Sequence, residues 1–117
     1  MEVTREELAR RLGDSALAIV DVRSPREYAG DGARCCARQG HIPGALNVDV
    51  TKLLGRGPAE VREVVGLPQG MEVVAYCHSG SRSALAAELL RAAGYDARNY
   101  VGSWHDWAAD SALPVEA

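Results

Sequence analysis

The chain has 117 residues, of which 47% are hydrophobic and 25% are charged, a composition typical of a globular domain rather than of a disordered chain. Its formal net charge of −3 gives no basic surface of the kind that nucleic acids need. No apolar run approaches the roughly 20 residues of a membrane span, so we expect no membrane partner. The net charge likewise predicts no nucleic-acid partner. The length predicts one domain over residues 1–117.

The first half of the chain alternates short helices and strands. Residues 4–7 match a capping box, so a helix begins after Thr4 and ends at Gly13. The apolar run 17–20 is typical of a strand buried on both faces. Residues 25–28 are predicted to form a helical turn that begins at a proline, and residues 45–48 a short strand.

The second half continues this alternation. Short helices are predicted over residues 51–54 and 58–65, a second buried strand over 72–76, a helix over 83–93, a strand over 97–101 and a helix over 104–109. Strands that alternate with helices predict an α/β fold, with a parallel sheet of about five short strands and helices on both faces. Residues 110–117 are expected to be a short C-terminal tail.

A polar loop follows the strand predicted over residues 72–76 and opens into the next helix. It begins with Cys77 at the carboxyl end of the strand, where active sites of parallel sheets lie. Gly80 can adopt a positive φ, which turns consecutive N–H groups inward into an anion-binding nest. The other loop residues add donors or positive charge: His78, Ser79, Ser81, Arg82 and Ser83.

This environment favours the thiolate of Cys77, because N–H groups and the positive end of a helix dipole both stabilise an anion. Cys77 is therefore a candidate nucleophile. The alternative is a strand–turn–helix joint that contains a buried, inert cysteine.

Four segments, in order, resemble motifs of the rhodanese-like sulfurtransferases. Residues 21–28 (DVRSPREY) resemble the family's Asp-Val-Arg and Glu-Tyr segment, and residues 40–45 (GHIPGA) resemble its Gly-His-Ile-Pro-Gly-Ala turn. Residues 76–83 (YCHSGSRS) resemble the active-site loop. Residues 102–104 resemble a Gly-Gly-Trp motif, with Ser103 in place of the second glycine. The resemblance implies a rhodanese-like three-layer fold.

The resemblance also implies that Cys77 accepts a sulfane sulfur as a persulfide and passes it on to a nucleophile. The expected partners are a small sulfur donor such as thiosulfate, or a persulfide donor, and a thiol or protein acceptor. No metal or organic cofactor is implied. One alternative is a non-catalytic sulfur carrier or interaction module, because such a module would use the same residues.

A second alternative is a cysteine-dependent phosphatase. Phosphatases with a cysteine–arginine loop have five residues between the cysteine and the arginine, which makes the anion-binding loop large enough for a tetrahedral phosphate. Four residues separate Cys77 from Arg82. The smaller cradle suits a single sulfur atom better and favours sulfur transfer.

Three charged residues near the first strand are expected to support the Cys77 loop rather than to react. Arg23 and Glu27 are four positions apart and are predicted to pair across a helical turn. Asp21 is predicted either to cap the turn that begins at Pro25 or to hold a neighbouring loop through N–H groups. All three could orient the Cys77 loop without contacting the substrate.

Residues 29–39 depart from the family pattern, which passes with only a few residues from the Glu-Tyr pair to the Gly-His-Ile-Pro turn. This insertion contains the adjacent cysteines Cys35 and Cys36. The simplest interpretation is an exposed loop that tolerates thiols, and the alternative is a redox role or a sulfur relay with Cys77. A zinc site is least favoured, because adjacent cysteines lack the usual spacing and His41 is the one histidine near in sequence.

The remaining aromatic and histidine residues have structural interpretations. His41 is expected to be a turn histidine bonded to the backbone, and His105 a surface residue of the last helix. Trp104 and Trp107 share a helical face and are predicted to seal the core.

The cysteine content and the first residues give an expectation for the compartment. The first residues lack a basic and then apolar signal region, and three cysteines do not suggest a disulfide framework. A reducing compartment also suits a reactive thiol, so we expect the cytoplasm. A monomer is the default expectation.

Overall fold

The computed structural model describes residues 2–31 and 36–117. Its elements, in chain order, are α1 (Arg5–Arg10), β1 (Leu17–Asp21), α2 (Pro25–Ala29), β2 (Leu46–Asn47), a 3-10 helix (Val50–Lys52), α3 (Pro58–Val65), β3 (Glu72–Tyr76), α4 (Ser81–Ala92), β4 (Asp96–Asn99) and α5 (Ser103–Ala109). This is the α/β alternation that the sequence predicts.

The sheet is parallel throughout, with strand order β2-β1-β3-β4. In the described residues it has four strands, one fewer than the approximate number predicted. At the outer side of β4, Glu2 forms an isolated bridge with Asn99, and residues 2–31 and 36–117 form no fifth strand there. The two central strands, β1 and β3, are in register from Leu17 opposite Glu72 to Asp21 opposite Tyr76.

Apolar clusters cover both faces of the sheet, because successive side chains of a strand point in opposite directions. In β3, Val73 and Ala75 belong to a cluster that includes residues of α3 and α4, such as Val61 and Leu90. Val74 and Tyr76 belong to a second cluster, which includes residues of α1 and α5. Helices therefore lie on both faces, as predicted. Trp104 and Trp107 are fully buried in the second cluster.

Helix boundaries follow the capping residues. Thr4 forms the predicted capping box of α1, and Ser24 forms a second one at the start of α2. Helix α4 begins at Ser81, two residues earlier than predicted, because Gly80 at φ +101° reverses the chain immediately before it. Among the described residues, no helix is both long and apolar enough to cross a membrane.

The C-terminal residues pack back on the segment that precedes β2. Glu116 and His41 exchange two backbone hydrogen bonds, of 2.7 and 2.9 Å. The indole N–H of Trp107 donates to the carbonyl of Pro114 at 2.9 Å. The segment predicted to be a tail is thus fixed to residues near the start of the GHIPGA turn.

Candidate active site

The carboxyl edge of the sheet holds the predicted cysteine. Cys77 follows the last residue of β3 directly, and its side chain is buried. Asp21 lies opposite Tyr76 in the register of β1 and β3, so the two strands deliver Asp21 and Cys77 to the same edge.

Several hydrogen-bond donors converge on the sulfur of Cys77. The backbone N–H of Gly80 donates to Sγ at 3.1 Å, and the hydroxyl of Ser83 lies 3.3 Å from Sγ. Both come from the turn that opens α4, so the helix places its N-terminal end against the sulfur. The side chains of Ser79 and Ser81 are at exposed positions and lie at the outer rim of the loop.

The cradle shifts the protonation of the thiol. Burial alone would raise the pKa of Cys77, but hydrogen bonds from the hydroxyl and N–H of Ser83 and from the N–H groups of Gly80 and Ser79 outweigh it. The pKa of Cys77 is lowered from its ordinary value of 9.0. A thiolate is the nucleophilic form of cysteine, so the geometry prepares Cys77 for attack.

Ser83→Ala is expected to raise the pKa of Cys77, because it removes the hydroxyl that favours the thiolate most strongly. The rate of alkylation of Cys77 by iodoacetamide should then reach half of its maximum at a higher pH than in the wild-type protein. Peptide mapping by mass separates Cys77 from the other cysteines. Ser83→Thr, which keeps the hydroxyl, is the control. An unchanged midpoint in Ser83→Ala would mean that the hydroxyl does not act on the sulfur.

Gly80 is required at its position by both its conformation and its surroundings. Its φ is +101°, and a Cβ atom placed on it would lie 2.5 Å from the carbonyl oxygen of Val101. The side-chain amide of Asn99 donates to the carbonyl of Gly80 at 3.2 Å and holds the loop from below. The role of Asn99 is not visible in the sequence alone, because it depends on the pairing of β3 with β4.

Gly80→Ala is expected to lower the free energy of unfolding by about 2–3 kcal/mol, because backbone strain and the clash with Val101 add together. Gly66→Ala is the matched control: Gly66 also has a positive φ, +73°, but no described heavy atom lies within 4 Å of its added Cβ. It should cost about 1 kcal/mol. Urea denaturation measures both, and equal losses would show that the contact with Val101 is without effect.

Arg82 joins the loop to α2. Its guanidinium donates two parallel hydrogen bonds to the carboxylate of Glu27, at 3.0 and 3.2 Å. Partial burial would raise the pKa of Glu27, but hydrogen bonds from Arg82 and Ser24 hold it at about 2. The predicted pair of Arg23 with Glu27 is therefore wrong, because the sheet brings Arg82 to the carboxylate from a distant part of the chain.

Arg23 pairs instead with Asp21. Its Nε and terminal nitrogen donate to the two carboxylate oxygens of Asp21 at 2.9 and 2.6 Å, and the pair is buried. The guanidinium also donates to the carbonyl of Gly40 at 2.6 Å and lies 5.0 Å from the ring centroid of Trp104. Asp21 also accepts the N–H of Arg23 at 3.0 Å, while Ser24, not Asp21, caps α2.

Ser103 is a site residue whose role the sequence alone does not reveal. Its hydroxyl accepts the N–H of Cys77 at 3.1 Å and donates to the carbonyl of Tyr100 at 2.8 Å. Its φ is +57°, a left-handed value that no other non-glycine adopts in residues 2–31 and 36–117. Glycine is the usual residue at such a φ, so the serine in the family's Gly-Gly-Trp motif was the available signal.

The structure describes residues 29–31 and 36–39 of the insertion. Cys35 lies outside the described residues, whereas Cys36 is partly buried, with Sγ 3.8 Å from Nδ1 of His105. His105 is exposed on α5, as predicted. His41 is buried and stacked on Tyr28, and its Nδ1 lies 2.8 Å from the Tyr28 carbonyl oxygen. This matches the expected turn histidine bonded to the backbone.

Comparison with known proteins places the chain in a family. The rhodanese-like domain matches residues 4–110. A thiosulfate sulfurtransferase of Pseudomonas aeruginosa is 38% identical over 97% of this chain and 45% of its own length. The sulfur carrier protein TtuD of Thermus thermophilus is 33% identical over 84% of this chain and 40% of its own.

A solved structure with a name of the same kind also has a similar fold. The crystal structure of a probable thiosulfate sulfurtransferase matches with a TM-score of 0.83 and 44% identity over 99% of this chain and 47% of that chain. The chain thus spans less than half the length of the relatives described here. With the matching domain over most of its residues and a buried cysteine in the expected loop, this chain belongs to the rhodanese-like domain family.

Proposed function

We propose that this protein is a rhodanese-type sulfurtransferase, which moves sulfane sulfur from thiosulfate or a persulfide donor to a thiophilic acceptor through a persulfide on Cys77. The observation that carries the proposal is the buried Cys77 sulfur, on which loop donors converge and whose thiol has a lowered pKa. The names of the relatives, thiosulfate sulfurtransferase and sulfur carrier protein, support the same chemistry.

The reaction divides into two displacements at sulfur. The Cys77 thiolate attacks the outer sulfur of thiosulfate, the sulfur–sulfur bond of the donor breaks, and sulfite leaves with the electron pair. An acceptor nucleophile then attacks the outer sulfur of the persulfide, and the thiolate of Cys77 leaves. Electrons and atoms balance without a further co-reactant.

The loop residues stabilise the charges of these steps. The outer sulfur of the persulfide is an anion, so it needs fixed donors, and loop N–H groups over residues 78–83 can provide them at low reorganisation cost. Loss of one such donor typically costs about 3 kcal/mol of transition-state stabilisation. We assign binding of the sulfur anion to these donors: His78, Ser79, Gly80, Ser81, Arg82 and Ser83.

The charged residues behind the loop have positioning roles in this proposal. The Arg82–Glu27 pair fixes the loop to α2, and the guanidinium of Arg82 also interacts electrostatically with the Cys77 thiolate. The Asp21–Arg23 pair supports Trp104, whose backbone N–H donates to the carbonyl of Cys77 at 2.8 Å. Neither pair exchanges a proton with the donor in the proposed steps.

The proposal is tested by the intact mass of the reduced protein before and after addition of thiosulfate, and again after addition of cyanide. A gain of one sulfur, which cyanide removes as thiocyanate, is the expected result. A gain only with a persulfide donor would favour the sulfur-carrier alternative. No gain with either donor would contradict sulfur transfer, and hydrolysis of a phosphate ester would then support the phosphatase alternative.

We also propose a sulfur donor, an oligomeric state and a cellular compartment for the reaction. The relatives imply a sulfur donor and acceptor in general terms. Thiosulfate is small and dianionic, which suits a small cradle with Arg82 beside it. We propose a single domain over residues 1–117 that acts as a monomer in the cytoplasm, where a reducing environment keeps the thiol available.

A sulfur relay through the insertion is a further candidate role for Cys35 and Cys36. Cys36 Sγ and the ligand nitrogens of His78 and His105 lie within 4.8 Å of one another, so this thiol reaches the rim of the Cys77 loop. If Cys36 or Cys35 accepts the sulfur, replacing both with serine should slow discharge to a thiol acceptor, measured by mass against time. Cyanide, a small acceptor that needs no relay, is the control. Unaltered discharge to the thiol would end the relay hypothesis.

A further inference from the structure

A cluster of metal-ligating side chains lies beside the Cys77 loop. Cys36, at the end of the insertion, His78, in the active-site loop, and His105, on α5, come from three separate segments. One ligand atom of each residue lies within 4.8 Å of the other two. Sγ of Cys36 is 3.8 Å from Nδ1 of His105, and the rings of His78 and His105 meet edge to face, with centroids 5.9 Å apart.

A second observation is an unsatisfied ring nitrogen. Nε2 of His78 is buried and has no hydrogen-bond partner in the described part of the chain. A buried polar atom without a partner is destabilising, and such an atom at a functional site calls for a ligand or ion. Coordination of His78 would offset this cost.

Hydrogen bonds hold the three segments together. The N–H of His105 donates to the carbonyl of His78 at 3.1 Å, which ties α5 to the active-site loop. Two residues after Cys36, the guanidinium of Arg38 donates to the carbonyls of Ala108 and Leu113, at 3.1 and 2.7 Å. The ligand atoms therefore lie on a fixed frame.

We propose that Cys36, His78 and His105 bind a thiophilic divalent transition-metal ion, of which Zn²⁺ is the best match. Tetrahedral zinc with Zn–S of about 2.3 Å and Zn–N of about 2.0–2.1 Å separates sulfur from nitrogen by about 3.6 Å and the nitrogens by about 3.3 Å. The Cys36–His105 distance of 3.8 Å is close to that value. The two ligand atoms of the cluster that lie farthest apart need to approach each other by at most about 1.5 Å to reach the distances of a tetrahedral zinc site.

The ligand chemistry selects the class of ion. One thiolate and two imidazoles suit zinc, and three protein ligands leave a fourth position for water or an exogenous thiol. The zinc site considered from sequence would have used His41, but Nδ1 of His41 lies against the carbonyl oxygen of Tyr28. The fold supplies His78 and His105 instead. Because His78 directly follows Cys77, an ion bound there would lie beside the active-site cysteine.

The proposal is tested by titration of the reduced full chain with Co²⁺, which replaces Zn²⁺ and reports thiolate ligation by charge-transfer absorption. Wild-type protein should bind one ion per chain with this absorption, and Cys77→Ser should bind it equally. Cys36→Ser should lose the absorption, and His105→Ala should bind at least about tenfold more weakly. Competition by Zn²⁺ should abolish the cobalt spectrum.

Cys35→Ser is the matched control, because it removes the neighbouring thiol and should leave the absorption unchanged. Circular dichroism shows whether each variant is folded, and the exposed position of His105 makes His105→Gln a second test of the same ligand. Absence of cobalt binding in the wild type would overturn the proposal. So would loss of the absorption in Cys77→Ser or its survival in Cys36→Ser.

Discussion

Cys77→Ser is expected to gain no sulfur from thiosulfate, whereas the wild-type protein is expected to gain one. The serine hydroxyl stays protonated at neutral pH and cannot form a persulfide, so the first displacement has no nucleophile. Serine is close to cysteine in size and can accept the N–H of Gly80, which contacts Sγ at 3.1 Å in the wild type. The loss should therefore be complete without loss of the fold. Intact mass after thiosulfate measures loading, and thermal denaturation followed by circular dichroism measures folding.

The control replaces Cys35 and Cys36 with serine together and leaves Cys77 as the remaining cysteine of the three. This variant should still gain one sulfur that cyanide removes, because loading in the proposed mechanism needs only the Cys77 loop. A cyanide-removable sulfur on Cys77→Ser would contradict the assignment and place the persulfide on the insertion. Loading that requires all three cysteines would contradict the two-displacement mechanism.

Local patterns were sufficient to predict the fold. The apolar runs of β1 and β3 and the capping box at Thr4 each act within a few residues, so the sequence shows them directly. Parallel order then places Asp21 and Cys77 at one edge. The start of α4 was misplaced by two residues, because helix ends depend on backbone geometry more than on residue type.

Side-chain partners distant in sequence could not be predicted in the same way. Arg23 and Glu27 fit a helical ion pair by spacing, yet Glu27 pairs with Arg82, 55 positions away. The contact of Cys36 with His105 spans 69 positions. Such pairs depend on which strands are neighbours and on where an insertion packs, and neither is visible in a single sequence.

Asp21→Asn is expected to lower the free energy of unfolding by about 3–5 kcal/mol, because it leaves the guanidinium of Arg23 buried without its counter-charge. The side chains of Arg23 and Asp21 are 4% and 0% exposed, so water cannot replace the lost partner. Glu60→Gln is the matched control: it removes one carboxylate of an exposed ion pair with Arg56 and should cost about 0.3–0.5 kcal/mol. Urea denaturation measures both variants.

A double variant separates the uncompensated charge from lost packing. Asp21→Asn combined with Arg23→Met removes the buried charge and keeps an unbranched side chain against Trp104, which the guanidinium faces at 5.0 Å. It should lose less stability than Asp21→Asn alone, because no guanidinium is left unpaired. A double variant that is less stable than the single one would show that Arg23 stabilises the fold mainly through its bond to the carbonyl of Gly40 and its contact with Trp104. In that case the pair would support the Cys77 loop through Arg23 itself, with Asp21 contributing little.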